Sequence, residues 1–301
     1  NDINLKIGLD PVAYIGDSQG IDAIHIKQGS SKQMIFRCLD ANEIILTPQV
    51  SPSGNSISFI VDGGNNTRSI HLLGPIVETQ GRWSAKDSIL SVVRGGAWPS
   101  VSEDGNLYLA MPSQQTIELK KASDVYRFSA GEFIRLSQNA GATKHIWPML
   151  NPAGNQILYR KVPIVDGSLD QQAEALSIIM DLTTFKADSH FVNQNVYLEQ
   201  WTHNGSILYS YNLNTVSNMR VYALYDPITR ESREIYRNES RQAKLSMDSK
   251  YLASIRPVPA GSAEFDIIIS DLEKGSEFNL TQSRNQSESL VGWIKVKTLS
   301  D

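Results

Sequence analysis

The sequence predicts an all-β fold, a six-bladed β-propeller of four-stranded antiparallel blades, and three observations predict it. First, a short segment recurs: Thr47-Pro48-Gln49-Val50-Ser51-Pro52-Ser53-Gly54, then Trp98-Pro99-Ser100-Val101-Ser102-Glu103-Asp104-Gly105, then Trp147-Pro148-Met149-Leu150-Asn151-Pro152-Ala153-Gly154. Weaker copies end at Gly205 and, with serine in the glycine's place, at Ser249. A self-similar period in the forties to low fifties marks an array of one supersecondary unit. Second, helical periodicity is nearly absent, which argues against an alternating α/β fold. Third, the ends complement each other: three strands open the chain without a preceding inner strand, and one strand closes it without followers.

Each copy has a local physical reason. An apolar residue (Val50, Val101, Leu150, Trp201 or Leu245) ends a short strand, and a turn such as Ser-Pro-Ser-Gly or Glu-Asp-Gly reverses the chain. Glycine supplies the positive φ of a tight hairpin, and proline stands before the reversal, where no ladder N–H is needed. A strand of period two then leaves the turn, as in Leu107/Leu109 and Ile157/Tyr159.

The elements follow in order as one propeller domain over residues 1–301. Residues 11–15, 21–26 and 33–39 read as the opening strands. Blades are predicted at 43–94, 98–138, 147–191, 198–237 and 243–281. The C-terminal strand 290–296, carrying Gly292-Trp293, is predicted to pair with the N-terminal blade at 10–40 and close the ring, which removes the exposed edges of the array. Residues 74–86 read as a connection carrying Trp83, 118–121 as a charged loop, and 162–174 as an insert suited to a short helix or mobile loop.

Composition bounds the function. A net charge of −4 gives no basic footprint, so nucleic acid is not an expected partner. No apolar run approaches the roughly 20 residues that span a bilayer. The single cysteine, Cys38, cannot form an internal disulfide or a multi-thiolate metal site, and reads as a buried strand residue. The start at Asn1-Asp2 is that of a processed or trimmed chain, so tethering through a preceding segment stays open. Sequons at Asn65, Asn204, Asn238, Asn279 and Asn285 arise easily by chance in an Asn- and Ser-rich chain and are read as unmodified.

The Pro-x-Val-Ser-Pro-Ser-Gly and Trp-Pro-x-Val-Ser-Glu-Asp-Gly segments resemble the repeat of TolB-type β-propellers. So do the third strands Ile24-His25-Ile26, Ile70-His71-Leu72, Val125-Tyr126-Arg127-Phe128 and Val221-Tyr222-Ala223-Leu224, and the Leu280-Thr281 ending. The resemblance covers nearly the whole chain, although the amino-terminal α/β domain of TolB itself has no counterpart in it. Such repeats occur in periplasmic scaffolds, in sensor domains of membrane-bound transcription activators, and in propellers of prolyl-oligopeptidase-type enzymes. The resemblance therefore implies an extracytoplasmic place and a non-catalytic protein-binding scaffold or sensor role within a larger polypeptide or complex. A polysaccharide lyase, or the non-catalytic propeller of a peptidase, is the alternative it leaves.

Motifs for chemistry are sparse. Gly16-Asp17-Ser18-Gln19-Gly20 matches the G-x-S-x-G nucleophile elbow, which requires a strand turning into a helix. The residues that follow alternate as a strand does, so the match reads as a hairpin turn. His25, His71, His145, His190 and His203 show no i, i+2 or i, i+4 ligand spacing, and His25 and His71 hold equivalent third-strand places suited to blade packing. Asp22, Asp124 and Asp266 precede apolar strands and are expected to serve turn hydrogen bonds. No calcium or phosphate loop is present, and neither a cofactor nor a metal is expected.

The positional lead is the connection into each innermost strand, because loops gathered on one rim of a rigid scaffold concentrate binding residues. Those connections supply Arg94, Trp98, Lys144, His145, Trp147, Glu199 and Arg241 as candidate residues for a protein or peptide partner, the propeller itself being a monomer. Aromatics flanked by arginine are what interface anchors are made of. Packing between blades is the competing role for Trp98 and Trp147. Trp201 and Trp293 align with Val101 and Leu150 and are expected in the core.

Overall fold

The computed structural model describes residues 9–64, 67–113, 122–138, 143–165, 168–169, 175–191, 194–213, 219–258, 264–282 and 288–298. Every regular element among them is a strand. The opening strands Val12–Asp17, Asp22–Gln28 and Ser31–Arg37 form an antiparallel meander, and Ser289–Trp293 joins it as the innermost strand. In that closure Val12 faces Trp293 and Ile15 faces Ser289. The two chain ends thus complete one sheet, as their complementary deficits predict.

Three further sheets are plain four-stranded meanders. They comprise Ile44–Val50, Ile57–Asp62, Thr67–Leu73 and Asp87–Arg94; Tyr197–Trp201, Ile207–Asn212, Arg220–Tyr225 and Ser232–Asn238; and Ala243–Leu245, Tyr251–Pro257, Phe265–Asp271 and Glu277–Asn279. The middle of the chain departs from the expected pattern. The meander Ala97–Val101, Leu107–Pro112, Ser123–Ser129, Glu132–Arg135 is joined to the meander Thr143–Leu150, Gln156–Val165, Leu176–Asp181, Ala187–His190 in one larger sheet. A single parallel bridge, Ser123 to Lys144, makes the joint, and the Ser123 hydroxyl donates to the His145 carbonyl at 2.7 Å. Thr143–Leu150 starts earlier than its sequence pattern indicates, and this extension reaches the neighbouring meander.

Two connections also differ from expectation. Within 74–86, Val77–Thr79 and Arg82–Ser84 form a hairpin, and Lys297–Thr298 pairs parallel to it; Trp83 is buried there. The insert after Lys161 begins as continued strand, with Ile164 paired to Leu169, rather than as a helix. The charged loop 118–121 lies outside the described residues.

The core is divided into clusters, each joining two successive meanders. Ile24 and Ile26 meet Phe59 and Val61; Ile60 and Ile70 meet Leu107 and Leu109; Tyr108 and Val125 meet Ile157 and Tyr159. Leu158 and Ile179 then meet Ile207 and Tyr209, and Leu208 and Tyr222 meet Leu245 and Leu252. The final cluster brings Ile267 and Ile269 back to Val12, Tyr14 and Trp293. Alternating strands bury both faces because each sheet is stacked between two others. This is the arrangement of a propeller.

The repeated turns hold the backbone their residues allow. Gly105 (φ 81°) and Gly205 (φ 86°) occupy the left-handed region, and Ser249 holds the same place at φ 61°. The elbow-like sequence is a hairpin: Gly20 N–H donates to Asp17 Oδ1 at 3.1 Å between two paired strands. Cys38 is buried, with its thiol pushed up to about 12 by burial first and then by Glu43, Asp22 and Asp40.

Candidate functional site: the channel mouth

The innermost strands carry a shared irregularity that builds the site. In three of them the ladder slips by a bulge that skips an Xaa-Pro pair, between Leu46 and Gln49, between Ala97 and Ser100, and between Ile146 and Met149. The extra pair in each bulge is Thr47-Pro48, Trp98-Pro99 or Trp147-Pro148, where proline's missing N–H costs no ladder bond. The residue before proline takes the left-handed conformation: Thr47 at φ 47°, Trp98 and Trp147 both at φ 55°. Such a conformation costs on the order of 1–3 kcal/mol for a non-glycine residue, and it persists only where the surroundings enforce it. Here the Trp98 N–H donates to Thr47 Oγ1 at 2.9 Å, and the two indoles meet edge to face at 6.2 Å.

Thr47, Trp98 and Trp147 of these bulges meet Tyr197, Arg220 and Arg241 around one end of the channel, a mouth of about 370 Å³. At the opposite end a narrower cavity of about 90 Å³ is lined by Ser100, Trp201, His203, Met247 and Trp293. Gln49, Met149, Glu199 and Lys244 line both and so mark the waist. Gln49 Nε2 donates to the Pro148 carbonyl at 3.0 Å, tying two inner strands across the intervening one.

One side of the mouth is charged and internally committed. Glu199 is buried and accepts from Ser210 Oγ at 2.7 Å and from the Ala243 N–H at 3.3 Å, with Arg220 at 3.5 Å. Lys244 donates to the Glu199 carbonyl. Burial pushes the Glu199 carboxyl above its usual range and the Lys244 ammonium below its own, each opposed by the other's charge. Arg220 lies 4.3 Å over the Tyr197 ring, and the exposed Arg241 lies 4.2 Å over Phe265.

The candidates named from sequence therefore divide. Trp98, Trp147, Glu199 and Arg241 come together at the mouth, and Lys144 lines a notch beside Trp98 and Trp147. Trp147 also packs on the apolar cluster of Trp201 and Tyr209, so it has a structural share, whereas Trp98 belongs to none of the clusters. His145 is a correction: it is buried away from the rim, its Nδ1 2.6 Å from Ser137 Oγ and 3.4 Å from Asp124, beside Tyr159. The alternation of Thr143–Leu150 turns His145 to the face opposite Lys144. Arg94 ends an outer strand, Asp87–Arg94, instead of entering an inner one, and its side chain lies outside the described residues.

The Ser137, His145 and Asp124 cluster resembles a triad only in composition. Ser137 bonds both partners, donating to Asp124 at 3.1 Å, and also accepts the Val125 N–H at 2.9 Å; all three residues are buried. Arg135 pairs with Asp124 at 2.7 Å, and the carboxyl is held below its usual range by His145, Ser113 and Arg135 against the effect of burial. Asp266 does similar work, accepting from Asn279 at 2.5 Å, and Asp22 accepts the Ile45 N–H at 2.9 Å. The remaining histidines are dispersed: His71 bonds Asp87 at 2.9 Å within its own sheet, and His190 bonds Tyr225 of the next sheet at 2.8 Å. Among the described residues no three His, Cys, Asp or Glu side chains gather as a metal site.

Sequence reasoning missed Tyr197, Arg220 and Arg160. A signal was present for the arginines, since Arg160 interrupts the apolar run Ile157-Leu158-Tyr159 and Arg220 opens another.

No family model matches the chain, and no curated protein matches it in sequence. Solved structures do. TolB from Acinetobacter baumannii superposes with a TM-score of 0.67 at 14% identity, over 94% of this chain and 67% of that one. A putative TolB from Agrobacterium tumefaciens gives 0.55 at 11%, over 96% and 93%. An oligogalacturonate lyase in complex with manganese gives 0.55 at 12%, over 85% and 70%. At these identities the likeness is one of fold: the chain is an all-β propeller of the kind seen in TolB-like structures.

Proposed function

We propose that this chain is a non-catalytic, protein-binding propeller of TolB-like type, a scaffold or sensor with an extracytoplasmic place. We count six blades in it, taking the joined middle sheet as two meanders. The observation that carries the reading is the strained pair of bulges at Trp98 and Trp147. Conformational strain held at two equivalent places, both turned to one channel mouth, points to a functional face. Half-buried indoles beside Arg220 and Arg241 are the side chains that anchor interfaces. A partner loop or peptide enters this mouth, and the ring of inner strands moves little on binding.

A pull-down from an extracytoplasmic extract tests the reading, comparing the native protein with a Trp98→Ala/Trp147→Ala variant shown to be folded. A partner captured by the first and lost by the second supports it. Equal capture by both moves the binding face elsewhere, and capture by neither defeats the scaffold reading.

A further inference from the structure

Three arginines perform one structural task in this ring. Arg68 donates to the Gly96 carbonyl at 2.6 Å, Arg160 to the Gln194 carbonyl at 2.7 Å, and Arg220 to the Arg241 carbonyl, each crossing to the segment that leads into the next inner strand. Two of them have a carboxylate: Asp62 lies 2.8 Å from Arg68, and Glu199 lies 3.5 Å from Arg220. Arg160 has none among the described residues. It is also only 4% exposed, and its second terminal nitrogen is buried with no hydrogen-bond partner among the described residues. An uncompensated buried cation is costly, and a guanidinium stays charged in proteins.

The register places a second cation beside it. Ile146 faces Arg160 and Lys144 faces Val162 across the antiparallel pair, so all four side chains share one face of the sheet. Lys144 and Arg160 are diagonal neighbours of like charge. They line a notch of about 150 Å³ whose other walls include Trp98, Trp147 and Tyr197, contributed by three successive meanders. A cavity of roughly this size accepts one benzene ring.

We propose that this notch is a carboxylate-binding site. The carboxylate of an organic acid takes the free guanidinium edge of Arg160 and the ammonium of Lys144, while its apolar or planar body lies among the indoles and Tyr197. A planar fork against a carboxylate is the strong form of this pairing. A free organic acid and the C-terminus of a peptide present the same carboxylate to this site. Arg160 and Lys144, rather than the aromatics shared with the mouth, carry the site. A failed pull-down and a failed titration are therefore separate results.

The test is a titration of the full chain followed by tryptophan fluorescence and calorimetry. The free-acid probe is benzoate, with benzamide as its neutral counterpart. The peptide probe is an N-acetylated tripeptide ending in phenylalanine, as free acid and as C-terminal amide. The expected result is saturable binding of an acid form with tryptophan response, and affinity at least roughly tenfold weaker for the amide. Benzoate binding identifies a small-acid site; binding of the peptide acid without benzoate identifies a peptide terminus. Arg160→Met removes a buried charge that lacks a carboxylate, along with its bond to the Gln194 carbonyl, and where it folds it should lose the acid preference. Lys144→Gln, at a half-buried position, should weaken the acid roughly tenfold and serves if Arg160→Met does not fold. Equal binding of acid and amide, or no binding of any probe, overturns the proposal.

Discussion

At the scale of single residues, the buried histidines show how one side chain takes opposite roles in equivalent places. His71 stacks on Phe59 at 5.2 Å and bonds both Ser69 and Asp87. His25 stacks on Tyr14 at 5.3 Å, but neither ring nitrogen has a hydrogen-bond partner among the described residues. Burial, with a smaller contribution from Lys32, pushes its pKa down to about 4 from an ordinary 6.5. Between those values the unfolded chain binds the proton and the folded chain does not, so stability falls as pH drops through that window. The loss should approach about 3 kcal/mol below pH 4, at about 1.4 kcal/mol per unit. His25→Phe keeps the stack and removes the titrating group. Urea melts of both proteins at neutral pH and near pH 4.5 should show a smaller acid loss in the variant; equal losses would exclude His25 as a source.

At the scale of elements, the Trp-Pro bulges join packing to recognition, and the two tryptophans should separate these roles. Trp147 rests on the cluster of Trp201 and Tyr209, whereas Trp98 touches its neighbours through Thr47 and the Trp147 ring. Full burial makes Trp→Ala cost about 3–5 kcal/mol, so the half-buried Trp147 should lose about 2 kcal/mol and Trp98 less than about 1 kcal/mol. Chemical denaturation of the single variants measures this. A larger loss at Trp98 would make its bulge a structural device and remove the main support for a binding rim. The bulges themselves were not legible in sequence. Thr47-Pro48 and its successors were visible as repeats, but a ladder slip depends on where the partner strand resumes pairing.

At the scale of the whole molecule, the ring depends on one short strand. Ser289–Trp293 is the innermost strand of the opening sheet, and Trp293 Nε1 donates to the Lys244 carbonyl of the preceding sheet at 2.9 Å. Gly292, at φ 153°, sits where a Cβ would come within 2.9 Å of Val50. The strand therefore seals against both neighbours. A chain ending at Gln282 should leave two apolar faces uncovered and lose cooperative unfolding, while Trp293→Ala in the full chain should cost about 3–5 kcal/mol. Guanidinium unfolding followed by circular dichroism decides it; an unchanged midpoint in the truncated chain would mean that closure contributes nothing.

The sequence by itself determined the all-β class, the recurring turn, and the pairing of the two ends. Each of these is written in local chemistry: glycine or a tolerant serine at a positive φ, alternating apolar residues, and strands missing a neighbour. Trp201 and Trp293 were legible as core residues for the same reason, since they align with apolar strand ends. Only the tertiary structure decided that the middle meanders are joined, that His145 faces inward, and that Tyr197 and Arg220 complete the mouth. It alone placed Arg160 beside Lys144 with no carboxylate paired to it among the described residues. These facts depend on strand register and on which sheet abuts which, and such contacts connect residues whose spacing along the chain carries no record of them.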